Sequence, residues 1–249
     1  MQAKAIGAVL FPLLFLSGMA AAQEQRCAAP DYYAQPYYKA TKAALTLRSS
    51  KALDILIVSS LPAQTRSGDK LRSYPSFLEN ALKERLPNYA IHVSIHNEPR
   101  KSAPEIVAGL PKAIEKYKPA LVVWQTGTVE ALNGMDPDTY EQALERAIEL
   151  IREAGADVIL VNPQFSPRLA LVSNSGALND RIRRVAAYAD VPLFNRYGIM
   201  RYWNENDAFD FTALKNDGTY EVVHRCLGHL LAEFVSRAAS FSEIAKLPK

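Results

Sequence analysis

From Leu53 onward the chain alternates short, continuous apolar runs with longer amphipathic ones, and no other feature restricts the fold as strongly. LDILIVSS at 53–60 is apolar on consecutive positions, the pattern of a central parallel strand buried on both faces. SYPSFLENALKERL follows at 73–86, with Pro75 in the first turn and Phe77, Leu78, Ala81, Leu82 and Leu86 at helical spacing. The alternation continues with YAIHVSI as strand, APEIVAGLPKAIEKYK as helix, ALVVWQ as strand and DPDTYEQALERAIELIREAG as a long helix closed by Gly155. DVILV, SGALNDRIRRVAAYAD and VPLF extend it as strand, helix and short strand, and a last helix is predicted from Glu221 to Ala239. This order specifies an α/β protein, a three-layer αβα sandwich around a central parallel sheet. Functional residues in such a sheet belong at the carboxyl ends of the strands.

The 249-residue chain opens on MQAKAIGAVLFPLLFLSGMAAAQ, with basic Lys4, an apolar stretch to Leu16 and three alanines before Gln23. That is the pattern of a secretory signal peptide over residues 1–22. The apolar stretch is short for a bilayer span, so a periplasmic or secreted protein is expected, with no membrane span after cleavage. What remains is enough for one packed α/β domain and short for two. We expect a domain over 51–240, preceded by a Tyr- and Pro-rich arm with a short helix at 23–50 and followed by a frayed tail at 241–249. The arm's tyrosines read either as packing onto the domain or as an exposed binding surface.

The net charge of +3 is small and Lys and Arg are spread among Asp and Glu, which argues against nucleic acid as a partner. The two cysteines, Cys27 and Cys226, allow a single intramolecular connectivity in an oxidising compartment, the alternative being two buried thiols. With no Cys, His and Asp clustered at ligand spacing, neither a metal nor another cofactor is expected.

Several stretches also occur in a recognisable order: CAAP at 27–30, SYP at 73–75, KPALVVWQTGT at 118–128, AGADVILVNPQFSPR at 154–168 and LFNRYGIMRYW at 193–203. In these the chain resembles the SGNH/GDSL hydrolases, and within them a group of exported bacterial members in which a cysteine also falls at Cys226. The resemblance implies a flavodoxin-like sandwich and a serine ester hydrolase, with a site drawn from four sequence blocks. In the nucleophile block, Val58-Ser59-Ser60-Leu61, Ser60 takes the nucleophile position while the family's Gly and Asp are replaced. The second block puts Arg100, beside Pro99, where the family has a Gly whose amide helps hold the oxyanion. Arg100 is expected to keep that amide but to fill space a substrate needs.

The third block is Gly127-Thr128-Val129-Glu130, with Val129 in place of the family's oxyanion Asn. Losing one such donor typically costs about a hundredfold to a thousandfold in rate. For the last block, one register puts Lys215 and Gly218 at the Asp and His positions and another puts Tyr220 at the His. Neither supplies the general base that a serine hydroxyl requires.

A rearranged relay, Asp217-His224-Ser60, is the alternative, against the plainer reading of His224 as a structural helix residue. His96, on or just after the second strand, is a further candidate base. Glu98, Arg100, Lys101 and Glu130 are expected to crowd the mouth of the cleft. These residues support three readings: a non-catalytic relative that binds an envelope glycan, a lipid, another small molecule or a periplasmic protein; an esterase or acyl hydrolase with a rearranged base; and an assembly protein presenting the Tyr-rich arm.

Overall fold

The computed structural model describes residues 26–60, 65–66, 69–70, 73–212 and 217–241. The strands are β1 Ala52–Ser59, β2 Ala90–Asn97, β3 Leu121–Gln125, β4 Asp157–Val161 and β5 Leu193–Phe194. All pair in parallel, in the order β2-β1-β3-β4-β5, and Thr65–Arg66 pairs antiparallel with Asp69–Lys70 in a separate small ribbon. The helices are α1 Asp31–Ala34, α2 Thr41–Ser50, α3 Tyr74–Arg85, α4 Ala103–Tyr117, α5 Thr128–Leu132, α6 Pro137–Glu153, α7 Pro167–Val172, α8 Ser175–Tyr188, α9 Arg196–Glu205 and α10 Asp217–Ala238.

The apolar run of β1 divides between two cores with the period of a strand. Ile55 and Ile57 face one core with α2, α3, α9 and α10, whereas Leu56 and Val58 face the other with α4, α6 and α8. Burial on both faces is why the sequence has no polar alternation there. The sandwich is the three-layer αβα fold, with the flavodoxin-like strand order that places its topological switch between β1 and β3.

Local chemistry sets the helix ends. The Ser102 amide and hydroxyl both donate to Glu105 Oε2, at 2.8 and 2.6 Å, which starts α4. Asp136 Oδ2 accepts the Thr139 amide at 2.9 Å and starts α6, and Gly155, at φ 84°, turns the chain after it.

The last helix begins at Asp217, four residues before the predicted Glu221. Asp217-Gly218 reads as a turn in isolation, whereas in the structure it forms the first turn of a helix whose later residues His224 and Gly228 pack against α3. Strand β2 runs past the predicted Ile95 to Asn97; as an edge strand it tolerates the polar His96 and Asn97. Helices α5, α7 and α9 were not expected. The first two are short, and Gly198 near the start of α9 hides its periodicity.

Cys27 and Cys226 form a disulfide, with Cα atoms 5.1 Å apart and a sequence separation of 199. Closing so long a loop contributes about 5 kcal/mol in the chain-entropy account. The arm is tied at its other end by the Ala40 amide, which donates to the Ala238 carbonyl at 2.9 Å. Trp203 Nε1 donates to the Ala28 carbonyl at 2.9 Å, so the arm packs across α9 and α10. The expected signal peptide and residues 242–249 of the tail lie outside the described residues. Among the described residues, no helix is long and apolar enough to cross a membrane.

Candidate active site

Buried polar side chains are concentrated at one end of the sheet. Ser60 follows β1, Thr126, Thr128 and Glu130 follow β3, Asn162 follows β4 and Arg196 follows β5, all in the buried class. Fold topology alone selects the same place, because the crevice at a switch point lies beyond the carboxyl ends of the flanking strands. Val58 pairs with Trp124, so Ser60 and Thr126 come level two residues further on.

Gly127 turns the chain from β3 into α5. Its φ is 91°, and an added Cβ would stand 2.5 Å from Pro163 Cγ and 2.9 Å from the Tyr140 hydroxyl, so a side chain has neither the dihedral nor the space. The Gly127 amide donates to Glu130 Oε2 at 2.7 Å. Glu130, expected at the cleft mouth, is instead 1% exposed beneath that turn, because its carboxylate caps the helix from inside. Burial raises the Glu130 pKa, with the Gly127 amide among the groups pulling it back. Val129 sits buried in the first turn of α5 with an aliphatic side chain that can donate nothing.

Arg100 departs from its expectation in a similar way. Its backbone holds the left-handed conformation, φ 67°, that suits a glycine, but its amide donates to the Ser60 carbonyl at 2.8 Å. A donor spent inside the fold is not offered to a substrate oxyanion. Its side chain is exposed.

Glu98 ties the same loop down: Oε1 lies 2.9 Å from His96 Nε2, and Oε2 pairs with Lys101 Nζ. The hydrogen bond from Lys101, then that from His96, holds the Glu98 pKa low against partial burial. Ser59 Oγ donates to Asn97 Oδ1 at 2.7 Å, closing the β1–β2 edge of the crevice.

The residues that sequence reasoning left without a role lie deeper. Arg196 is 3% exposed, its Nε donating to the Asn162 carbonyl at 3.1 Å and its Nη2 reaching Thr128 Oγ1 at 3.4 Å. No carboxylate pairs with it among the described residues, and burial lowers its pKa to about 10, which leaves it charged at neutral pH. The hydroxyls of Tyr74 and Tyr140 are buried with no partner among the described residues, and burial pushes Tyr74 up to about 12 and holds Tyr140 well above its ordinary value. Asn162 is the hub: its Nδ2 donates to Asn179 and Asn195, both at 2.7 Å, and its Oδ1 accepts the Tyr197 amide at 2.9 Å. The one sequence signal for this group was a charged residue, Arg196, two positions after the strand VPLF.

His224 comes to this cluster from α10. Its Nδ1 accepts the Tyr74 backbone amide at 3.2 Å, and its ring lies between Tyr74 and Tyr220, at centroid distances of 6.1 and 4.1 Å. Burial first, then the Arg196 charge, lowers its pKa from 6.5 to about 3. Asp217 stands seven residues earlier on the same helix, about 10 Å away along the axis. Leu61 and Lys215 lie outside the described residues. The Ser60 hydroxyl makes no hydrogen bond to an imidazole among the described residues.

A family model described as the Non-GDSL lipase-like family matches residues 26–241. An arylesterase from Vibrio mimicus is 29% identical over 97 residues, 39% of this chain and 47% of that protein, so the match spans about half the relative's length. LAE5, an alpha/beta hydrolase enzyme from the metagenome of Lake Arreo, superposes with a TM-score of 0.61 at 16% identity, over 75% of this chain and 96% of its own. Axe2, an acetylxylan esterase from Geobacillus stearothermophilus, does so with a TM-score of 0.59 at 14% identity, over 74% and 94%. The lipase/acylhydrolase from Enterococcus faecalis follows with a TM-score of 0.56 at 19% identity, over 73% and 94%. At these identities the solved structures share the fold.

Proposed function

The chain belongs to the Non-GDSL lipase-like family, and from that premise we propose that it keeps the ester-hydrolase scaffold as a ligand-binding cleft and has lost the serine-esterase route. The observation that carries this reading is the state of His224. A general base must present an unprotonated nitrogen to the serine and take up its proton. With Nδ1 accepting the Tyr74 amide, the neutral ring carries its proton on Nε2, so neither nitrogen is open as an acceptor. Its charged neighbour is a guanidinium, which opposes the imidazolium that a triad carboxylate would stabilise. The Arg100 amide and the Val129 side chain add to the argument, the first engaged by Ser60 and the second without a donor.

An exported location is supported by the leader-like opening of the sequence and by the Cys27–Cys226 disulfide, a bond that persists in oxidising compartments. The test is a fluorophosphonate probe together with p-nitrophenyl acetate turnover. We expect no labelling and no turnover above background; labelling that disappears in Ser60→Ala would overturn the proposal.

A second reading keeps the esterase, and one contact favours it. The His96–Glu98 contact is the imidazole–carboxylate half of a relay, and β2 sets His96 beside Val58, two residues before Ser60. If Ser60-dependent turnover is found and His96→Ala removes it, this reading replaces the first; unchanged turnover in that variant rejects His96 as the base.

A further inference from the structure

A cavity of about 680 Å³ opens between the N-terminal arm and α8, along the β5 edge of the sheet and outside the crevice of Ser60. Its size falls in the range of small-molecule sites, roughly 300–1,000 Å³. Tyr32, Tyr33, Tyr37 and Tyr38 line it from the arm, and Arg183, Ala186 and Ala187 line it from α8. Positions three and four apart share one helix face, so the two alanines leave room there while Arg183 stands at the end of the same stripe.

Three observations set this cavity apart from a loose surface crevice. First, the arm is tied at both ends, by the Cys27–Cys226 disulfide and by the Ala40 amide and Lys39 Nζ, which donate to the Ala238 and Arg237 carbonyls. Second, its aromatic wall is held in place. Tyr38 donates to the Ala187 carbonyl at 3.1 Å, and Tyr33 lies so close over Gly198 that a Cβ there would be 2.5 Å from its ring. Third, the wall is left uncovered: Tyr37 is 84% and Tyr32 60% exposed. On α8, Arg181 is paired with Asp138 and Glu141, whereas Arg183 meets no carboxylate among the described residues. Asn195 commits its Oδ1 to Asn162 and to the Gly198 amide, which leaves its NH₂ as a donor at the cavity wall.

Tyrosine faces match the C–H faces of a pyranose ring, and amide and guanidinium donors match its hydroxyl and carboxylate edge. An acyl chain would use the tyrosines but leave the donors unsatisfied. We propose that this cavity is a binding site for an oligosaccharide containing an acidic sugar, with Tyr37 and Tyr32 stacking on the rings and Arg183 pairing with the uronate carboxylate. It stands whether or not Ser60 is a nucleophile, because Tyr32, Tyr37 and Arg183 lie outside the crevice.

The experiment presents the whole protein to an array of neutral and uronate-containing oligosaccharides and measures the best binders by calorimetry, with lauric acid as the apolar probe. Binding of uronate-containing chains is expected, weakened at least about tenfold in each of Tyr37→Ala, Arg183→Ala and Ala187→Trp, the last because its indole intrudes on the cavity from the α8 wall. Both single-site truncations are at exposed positions and leave the fold in place. The proposal is overturned if no oligosaccharide binds, if lauric acid binds in their place, or if binding survives all three substitutions undiminished.

Discussion

The crevice between β1 and β3 and the cavity beneath the arm both hold polar groups, but the two dispose of them in opposite ways. In the crevice the groups an ester hydrolase would turn toward substrate are turned inward: the Gly127 amide to Glu130, the Arg100 amide to the Ser60 carbonyl, His224 Nδ1 to the Tyr74 amide. Under the arm, Arg183 lacks a carboxylate partner among the described residues and two tyrosine faces stay exposed. A donor already satisfied within the fold contributes to stability, and one left unsatisfied at a surface is available for binding. Among the described residues, the difference leaves the crevice without a free oxyanion donor or base for ester hydrolysis, and leaves the arm cavity with side chains free for recognition.

The disulfide tests that division most severely. Replacing Cys27 and Cys226 by alanine is expected to cost about 2–5 kcal/mol in urea denaturation, and also to release the arm and weaken oligosaccharide binding. If binding survives, the arm does not build the site. Gly127→Ala strikes the crevice alone. With a left-handed φ and Pro163 in the way, a loss of about 3 kcal/mol is expected, with binding under the arm unchanged.

The pH dependence of stability sharpens the account of the crevice. His224 is held neutral, with a folded pKa of about 3 against an ordinary 6.5. The unfolded state therefore takes up the proton first, and stability falls as pH drops from about 6.5 toward 3. His224→Asn keeps an acceptor for the Tyr74 amide and removes the titration, so its denaturation midpoint should fall less over that range. Equal slopes in the two proteins would mean that the imidazole is not buried beside Arg196. Arg196→Met removes a buried charge that has no carboxylate partner. A stability change within about 1 kcal/mol is expected, with an upward shift of the His224 pKa read by NMR.

The smallest effect belongs to Arg100→Gly. The backbone already holds a glycine-like φ, so relief of strain and loss of chain stiffness should nearly cancel, to within about 1 kcal/mol.

Much of the fold was legible because its signals are local. Strands buried on both faces need continuous apolar runs, and β1, β3 and β4 announce themselves in LDILIVSS, ALVVWQ and DVILV. In the candidate site, Ser60 and Val129 were legible as residues at strand ends, and a valine cannot donate a hydrogen bond in any fold. Arg196, Tyr74 and Tyr140 were not legible as a group. They come from three separate helices, and their shared chemistry exists only once the helices meet.

Sequence by itself therefore determined the layered sheet, the strand ends on which a site could form and the identity of the side chains placed there. It also placed a cysteine in the arm and another in the last helix. Tertiary structure alone decided which donors remain available. It turned Glu130 inward, set His224 beside a guanidinium and held four tyrosines over an open cavity. The physical reason is range: hydrophobic periodicity acts over a few residues, whereas desolvation and hydrogen-bond partnership depend on groups brought together from distant parts of the chain.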